Sequence, residues 1–594
     1  MPAFTKVLVA NRGEIAVRVF RTLRELGIGC VAVYSEADRG RLHARVADEA
    51  YLIGPGPASE SYLRADVIVE TALRAGAEAV HPGYGFLAEN AAFARAVEAA
   101  GLTWIGPPPA AIELMGSKTE ARATMQAAGV PIIPGTTDPV RSADEVVALG
   151  DEIGYPLLIK AKAGGGGKGM ELVHGPDEAA RAFDTATRQG LKFFADDAVY
   201  VEKFIVDPRH VEVQVLADGH GNVVHLGERD CTIQRRHQKL VEETPSPAVD
   251  DALRARIGAI AVDAARAAGY RSAGTIEGLL TADGSYYFME MNTRIQVEHT
   301  VTEMVTGLDL VREQVLVAAG EPLSVRQEDV VLRGHAIECR INAEDVTQGF
   351  LPAPGTITAY VEPAGPGVRV DSGIRAGDEI SGLYDPMIAK LIVHDVDRER
   401  ARRRMLRALA EFRLEGPPTL VGFHRALLEH PCFAAGDTCH GIVESEELAR
   451  RAAELSVPHG PAGAAAPSAG VLPTRPRLVA VEVDGREVQV RLHVTEPPWV
   501  ELARRRQGRA DAVAAGGSGA VLSPMQGTVL KVDVGEGDEV EEGQVLCVVE
   551  AMKMENEIPA PRAGVVRDLA IAGGEAVSDG QLLCVVAEPE TVDR

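Results

Sequence analysis

The chain has 594 residues, room for about four domains at roughly 150 residues each. Apolar residues make up 46% and charged residues 25%, as in globular proteins, while aromatics at 4% leave the cores to aliphatic side chains. The 61 Lys plus Arg against 86 Asp plus Glu give a net charge of −25, which argues against a nucleic-acid partner because so acidic a chain repels a phosphate backbone. No apolar run approaches the about 18 residues of a membrane span, so no membrane partner is expected. The start, MPAFTKVLVANRGE, turns charged too early for a signal peptide. Seven cysteines, an odd number without CxxC spacing, argue against a disulfide scaffold or cysteine zinc site and fit a reducing cytoplasm.

Lys6–Ala10 (KVLVA) reads as a buried strand, Gly13–Leu26 as a helix and Cys30–Tyr34 as the next strand. Glu78–Val80 leads into His81-Pro-Gly-Tyr-Gly-Phe, a glycine turn after a strand, and Pro107–Pro109 closes the region. This βα rhythm predicts a parallel sheet with helices on its faces. Leu157–Lys160, Tyr200–Phe204 and His210–Leu216 read as strands, the last followed by an Asp-Gly-His-Gly-Asn turn. A mixed α/β region follows over 334–445, with a basic helix near Arg398–Arg407. Residues 451–470, rich in Ala, Gly, Pro and Ser, read as a linker, 478–494 as a hairpin around Asp484-Gly485, and 511–520 as a second tether.

The strongest internal signal is near the C-terminus. Gly527–Val549 repeats at Gly564–Val586, an offset of 37, with ten of 23 positions identical. Two β units of one design predict a pseudo-twofold sandwich. Between them lies Glu550-Ala-Met-Lys-Met-Glu-Asn556, which places Lys553 on an exposed turn between two methionines. Most lysines there are merely solvated. Large apolar methionines on an exposed turn are wasteful unless another protein reads them, so an attachment lysine is the better reading.

Three further stretches carry candidate chemistry. In Lys160-Ala-Lys-Ala-Gly-Gly-Gly-Gly-Lys-Gly-Met170, consecutive glycines let backbone N–H groups approach phosphate. The stretch is not a Walker A loop, and Asn11-Arg-Gly-Glu-Ile is not a dinucleotide fingerprint. Glu277 and Glu290 lie on neighbouring strand-like segments, and with Asn292 they suit a magnesium ion on a triphosphate. If Glu290–Glu298 is extended, Glu290, Asn292, Arg294, Gln296 and Glu298 share one polar face. Cations concentrate over Glu228–Lys239 and His335–Asn342, each as readily a solvated face as a site.

The Ala-Met-Lys-Met turn in a repeated sandwich resembles the biotinyl domain of biotin-dependent carboxylases; lipoyl domains usually carry Asp-Lys-Ala there. Ala-Asn-Arg-Gly-Glu-Ile-Ala, His-Pro-Gly-Tyr-Gly-Phe-Leu, the glycine loop, Glu-Arg-Asp-Cys, Glu-Met-Asn-Thr-Arg-Ile-Gln-Val-Glu-His and Glu-Cys-Arg-Ile-Asn-Ala-Glu together resemble biotin carboxylase, an ATP-grasp enzyme, over about 3–445. The whole is similar to the α subunit of an acetyl- or propionyl-CoA carboxylase. The resemblance implies an α/β and α+β multidomain chain. Its parts would be a Rossmann-like N-terminal domain (1–115), an ATP-grasp domain (116–330, lid about 131–204) and a mixed C-terminal biotin carboxylase domain (331–446). A linker with a candidate partner-docking β segment (447–519) and a flattened β-sandwich biotinyl domain (520–588) would follow.

The same resemblance implies roles residue by residue. Lys118, Lys160, Gly165, Gly166, Gly167, Lys168 and Met170 would serve ATP, the loop closing as a lid. The loop reads Gly-Lys-Gly-Met where many relatives have Gly-Arg-Gly-Met, a change that keeps the cation. Glu202, Lys203 and Ile205 would line the adenine pocket, and His210, Gln234 and His237 would help hold the nucleotide. Glu277, Glu290 and Asn292 would bind Mg²⁺ or Mn²⁺. Lys239 and Arg294 would hold bicarbonate, with contacts from Gln296 and Val297; Glu298 would be the general base. Arg340 would stabilise the ureido enolate of biotin, itself covalent on Lys553. Implied partners are a carboxyltransferase β subunit in a hetero-oligomer and a biotin protein ligase. Two alternatives stay open: an ATP-grasp ligase with a lipoyl-like carrier, and a biotin carrier whose N-terminal region is inactive. A stand-alone pyruvate carboxylase is disfavoured, since that family needs a long further region.

Overall fold

In the computed structural model, residues 4–136, 138–161, 170–194, 198–236, 238–456, 474–483, 486–495, 519–551 and 554–587 are described. The N-terminal unit is a five-stranded parallel sheet in the order Glu49–Gly54, Gly29–Ser35, Lys6–Val9, Ala79–His81, Thr103–Trp104. Val7, Leu8 and Val9 in the central strand are all buried, as helices on both faces require. The helix Gly13–Glu25 turns Ile15, Ala16, Val19, Phe20 and Leu23 into that core, a single apolar stripe at helical spacing.

A small lobe follows. Its sheet runs Met170–Val173, Leu157–Ala161, Val199–Lys203, backed by helices Ala143–Ile153 and Ala179–Phe194. The lobe has its own core of Val146, Leu157, Ile159, Val173, Val199 and Val201. Gly165, Gly166, Gly167 and Lys168 of the expected loop lie outside the described residues, as does His237.

The element that builds the site is an eight-stranded antiparallel sheet. Its order is Tyr286–Asn292, Ser272–Leu280, Arg209–Ala217, Val223–Arg235, Gln238–Thr244, His335–Asn342, Met387–Asp395, Val368–Ser372. The strand Arg209–Ala217 shows how it is specified. Val211, Val213 and Val215 enter one core, so period two turns His210, Glu212 and Gln214 to the opposite face.

One expectation is corrected here. The linker does not begin at 447: Glu446–Ser456 is a helix, with Leu448, Ala452 and Leu455 in the C-terminal core. Apolar positions at spacings of four and three outweigh the Ala-rich composition, and Arg425 closes the helix end by donating to the Leu455 carbonyl at 3.1 Å. The argument against a disulfide scaffold does not reach a single local bridge. Cys432 and Cys439 are disulfide-bonded across a short turn, while Cys30, Cys231, Cys339, Cys547 and Cys584 are free and buried. A local pair seven residues apart leaves no spacing motif to recognise.

Thr474–Val483 and Arg486–Thr495 form the expected hairpin; its Asp484-Gly485 turn lies outside the described residues. The C-terminal sandwich has two four-stranded sheets, and its repeat exchanges strands. Glu539–Val540 of the first half pairs with the second half's Gly564–Arg567, and Ala576–Val577 of the second pairs with Gly527–Val532 of the first. Val545–Ala551 and Met554–Pro559 form the central hairpin with Ala551 opposite Met554; Met552 and Lys553 between them lie outside the described residues. Among the described residues no helix is long and apolar enough to cross a membrane.

Candidate active site

One row of residues crosses the large sheet. Glu290 stands opposite Glu277, Glu277 opposite Glu212, and Glu212 opposite Arg229. Arg229 is fully buried, and its five N–H donors reach Glu212 (2.5 Å), Gln214, Thr302, Thr275 and Gln296 (2.8 Å). It therefore fixes the row from behind.

Lys239, on the neighbouring strand, completes the cluster. Its ammonium donates to Glu212 Oε2 at 2.5 Å, Glu277 Oε1 at 2.8 Å and Glu298 Oε1 at 2.8 Å. All three donors are thus committed, and a bound anion must displace one acid to use them. Burial works against the charge, but the three carboxylates hold the Lys239 pKa well above its ordinary value. Glu277 also accepts from Asn292 Nδ2 at 2.6 Å and Gln296 Nε2 at 2.7 Å, and His210 Nε2 lies 2.8 Å from its Oε2. Burial pushes Glu277 up, yet Lys239 and His210 bring its pKa well below the usual carboxylate range.

Glu298 is held from two sides. Beyond Lys239, Arg340 NH2 donates to its Oε2 at 2.9 Å, and Arg340 Nε donates to Glu242 Oε1 at 2.6 Å. Burial would raise the Glu298 carboxyl; Lys239, Arg340 and Arg229 outweigh it and hold the acid ionised. Glu242 goes the other way, pushed up to about 8 by burial despite Arg340. Arg294 donates from Nε to Glu89 at 2.8 Å and from NH2 to Asn292 Oδ1 at 2.8 Å. The Val297 carbonyl accepts from Lys390 at 2.8 Å, so any contact it makes to an anion must come from elsewhere on the residue.

The extended polar face expected over Glu290–Glu298 is corrected. The strand ends at Asn292, and a turn leads into the helix His299–Thr306. Ile295 is buried in the core shared with the N-terminal sheet, which folds the chain back there. Convergence arises from this turn rather than from strand alternation.

These groups line a cleft of about 1550 Å³. Lys118, Lys160, Met170, His210, Gln234, Lys239, Glu277, Glu290, Asn292, Arg294, Gln296, Val297, Glu298 and Arg340 all face it. Glu202, Lys203 and Ile205 are not among its lining residues. The Glu202 carboxylate pairs with Lys160 at 2.5 Å and Arg122 at 3.3 Å, and Lys203 donates to the Tyr155 carbonyl at 2.7 Å. Glu290 is exposed to the cleft; burial and the nearby Glu277 raise its pKa, while Lys118 lowers it. Two acids that repel one another beside an amide oxygen fit a hard divalent cation such as Mg²⁺.

Sequence reasoning missed Glu212, Glu242, Glu89 and Lys390, and took Arg229 only as part of a motif. Glu212 was legible from the alternation in HVEVQVL; Glu89 and Lys390 come from distant segments and left no local signal.

A small lobe that contributes Lys160 and Met170 to a charged cleft, in a chain that also carries a repeated β sandwich, is the arrangement of an ATP-grasp ligase. Family models match in the same order: biotin carboxylase N-terminal domain over 3–112, the ATP-binding domain of carbamoyl-phosphate synthase L chain over 117–326, biotin carboxylase C-terminal domain over 338–445, and biotin-requiring enzyme over 519–586. The biotin carboxylase of Nostoc sp. is 53% identical over 441 residues, 74% of this chain and 99% of that protein. The biotin-dependent acyl-coenzyme A carboxylase alpha3 subunit of Mycobacterium leprae is 46% identical over 573 residues, covering 93% and 94%. The biotin carboxylase domain dimer of Hydrogenobacter thermophilus 2-oxoglutarate carboxylase, solved with MgADP, ADP and bicarbonate, superposes with a TM-score of 0.68 at 48% identity, covering 74% of this chain and 99% of that one. The chain belongs to the biotin carboxylase family and is an ATP-dependent, biotin-requiring ligase.

Proposed function

We propose that this chain is the α subunit of an acyl-CoA carboxylase. It uses ATP and bicarbonate to carboxylate biotin carried on Lys553 of its own sandwich, where a biotin protein ligase attaches it. A separate carboxyltransferase β subunit, joined in a hetero-oligomer, passes the carboxyl group to acetyl-CoA or propionyl-CoA. The observation that carries this reading is the meeting in one cleft of Lys239, Glu298 and Arg340 with Gly527, Thr528 and Glu550 of the sandwich. Full-length similarity to the Mycobacterium leprae acyl-CoA carboxylase subunit supports the acyl-CoA assignment.

Bicarbonate is a weak nucleophile, and the cleft residues address that. Lys118 and Lys160 balance the ATP phosphates, with His210 and Gln234 further along the cleft. Glu277, Glu290 and Asn292 would hold Mg²⁺, whose charge would offset that of the phosphates. Arg294 orients the planar anion. Glu298, ionised between Lys239 and Arg340, takes the bicarbonate proton, and the freed oxygen attacks the γ-phosphorus as ADP leaves. The resulting carboxyphosphate splits to CO₂ and phosphate. Biotin held on Lys553 would offer the ureido nitrogen to be carboxylated, its proton passing to phosphate, and Arg340 would balance the charge at the ureido oxygen.

The test is intact mass after expression with a biotin ligase, then phosphate release with ATP, Mg²⁺ and free biotin. One biotin adduct, lost in Lys553→Ala, and turnover stimulated by bicarbonate are expected. Turnover indifferent to bicarbonate would overturn the carboxylase reading. Carboxylation of 2-oxoglutarate but not acyl-CoA by the assembled complex would overturn the acceptor.

A further inference from the structure

We infer that Lys390 is a positioning residue for Glu298: it grips the Val297 carbonyl from behind while Arg340, its partner in register, grips the Glu298 carboxylate. The inference rests on the reading of Glu298 as the base. Lys390 and Arg340 stand opposite each other on the strands Met387–Asp395 and His335–Asn342. One strand pair therefore holds the last two residues of the turn that precedes the helix His299–Thr306. Glu298 is the N-cap residue of that helix, yet its side chain makes no capping hydrogen bond. Nothing local to the helix fixes the carboxylate, so its place depends on Lys239 and Arg340 in front and on the Val297 anchor behind.

The burial of Lys390 is costly enough to need a reason. Its side chain is 0% exposed, and a buried ammonium is destabilising unless paired. Its ion-pair partner is Glu14, at the start of the first helix of the N-terminal sheet, with Oε1 at 3.4 Å. Among the described residues neither Glu14 carboxylate oxygen has a hydrogen-bond partner. The ammonium instead donates at 2.8 Å to Val297. Two apolar residues of similar volume would join the domains as well as this pair does. Unlike such a pair, the ammonium also donates to the carbonyl next to the base.

The experiment uses the full chain, comparing Lys390→Met, the double variant Lys390→Met/Glu14→Gln, and Glu298→Gln. Lys390→Met is expected to lower kcat for bicarbonate-dependent phosphate release about 10–100-fold, the scale of a small misplacement of a reacting group, with KM for ATP unchanged. The acid limb of its pH profile should move to higher pH, because a released Glu298 loses part of its contact with Lys239, Arg340 and Arg229 while Glu242 and Glu338 still face it. The double variant removes both members of the ion pair, while Asp371, opposite Lys390, keeps Arg369, so it should recover thermal stability in part and keep the kinetic defect. Wild-type kcat in either Lys390 variant, or a double variant that does not fold, overturns the inference in favour of a purely structural Lys390. Bicarbonate-stimulated turnover persisting in Glu298→Gln instead overturns the underlying reading of the base.

Discussion

Arg340 spans two acids of opposite character: its NH2 lies 2.9 Å from the ionised Glu298, and its Nε lies 2.6 Å from Glu242, whose carboxyl is pushed up to about 8 by burial. The guanidinium fork fits this spacing, and a lysine presents only one point charge. Arg340→Ala should reduce bicarbonate-stimulated phosphate release by about 100-fold or more. Arg340→Lys should restore little of it. Steady-state assays with free biotin check both, and full recovery in the lysine variant would show that charge alone suffices.

Several buried carboxyls predict an unusual dependence of stability on pH. Burial raises Glu344 to about 7, despite a hydrogen bond from Asn342. In the unfolded chain the same group titrates near about 4.3. Between these values the folded state binds more protons, so stability is fully present below about pH 4.3 and falls as pH rises through about 7. Glu344→Gln cannot titrate. It should match the parent near pH 5 and exceed it at pH 8, by on the order of 3 kcal/mol. Denaturant unfolding at the two pH values measures the difference, and equal slopes would mean Glu344 is not raised.

Most of the architecture was legible because local patterns and packing agree. KVLVA gave a buried strand, HVEVQVL a two-faced one, and the 37-residue repeat a paired sandwich. The site was legible as a set of residues but not as a mechanism of assembly. Glu290 and Asn292 share a strand with Glu277 opposite, as expected, whereas Glu298 arrives by way of a turn set by Ile295 in the core. Packing between distant segments decided that turn. The same cause hid Lys390, whose neighbours Glu14 and Val297 lie far away in sequence. The helix Glu446–Ser456 was lost for another reason: its Ala-rich composition matched a tether, and only three spaced apolar side chains mark it otherwise.

The sandwich repeat makes a paired prediction. A Cβ on Gly527 would lie 2.4 Å from the Glu550 carbonyl oxygen, and one on Gly564 would lie 2.3 Å from that of Ala587. Both glycines and both obstructing residues are related by the same offset of 37. A backbone oxygen cannot move aside as a flexible side chain can. Gly527→Ala and Gly564→Ala should each destabilise the sandwich by about 1–3 kcal/mol. Hydrogen exchange of Val545–Ala551 and Leu582–Ala587 in the full chain reports this directly. Unequal losses would mean that the two halves are not equivalent in packing.

Metal dependence should follow the division of labour between the two facing acids. Glu277 Oε1 accepts from Lys239, Asn292 and Gln296, so the carboxylate is held in place with or without a cation at Oε2. Glu290 is exposed to the cleft, and Glu277 raises its pKa, a repulsion that a divalent ion would relieve. Chelation should abolish ATP cleavage. Glu290→Gln keeps an oxygen ligand but loses the charge, so the Mg²⁺ concentration for half-maximal rate should rise by about tenfold, with partial recovery at high Mg²⁺. Glu277→Gln should do more, because it also leaves Lys239 with one acid fewer and disturbs the hold on Glu298. Titrating Mg²⁺ against phosphate release at fixed ATP separates the two variants. A Glu290→Gln enzyme with an unaltered Mg²⁺ requirement would remove Glu290 from the metal site and leave its carboxylate a solvated wall of the cleft.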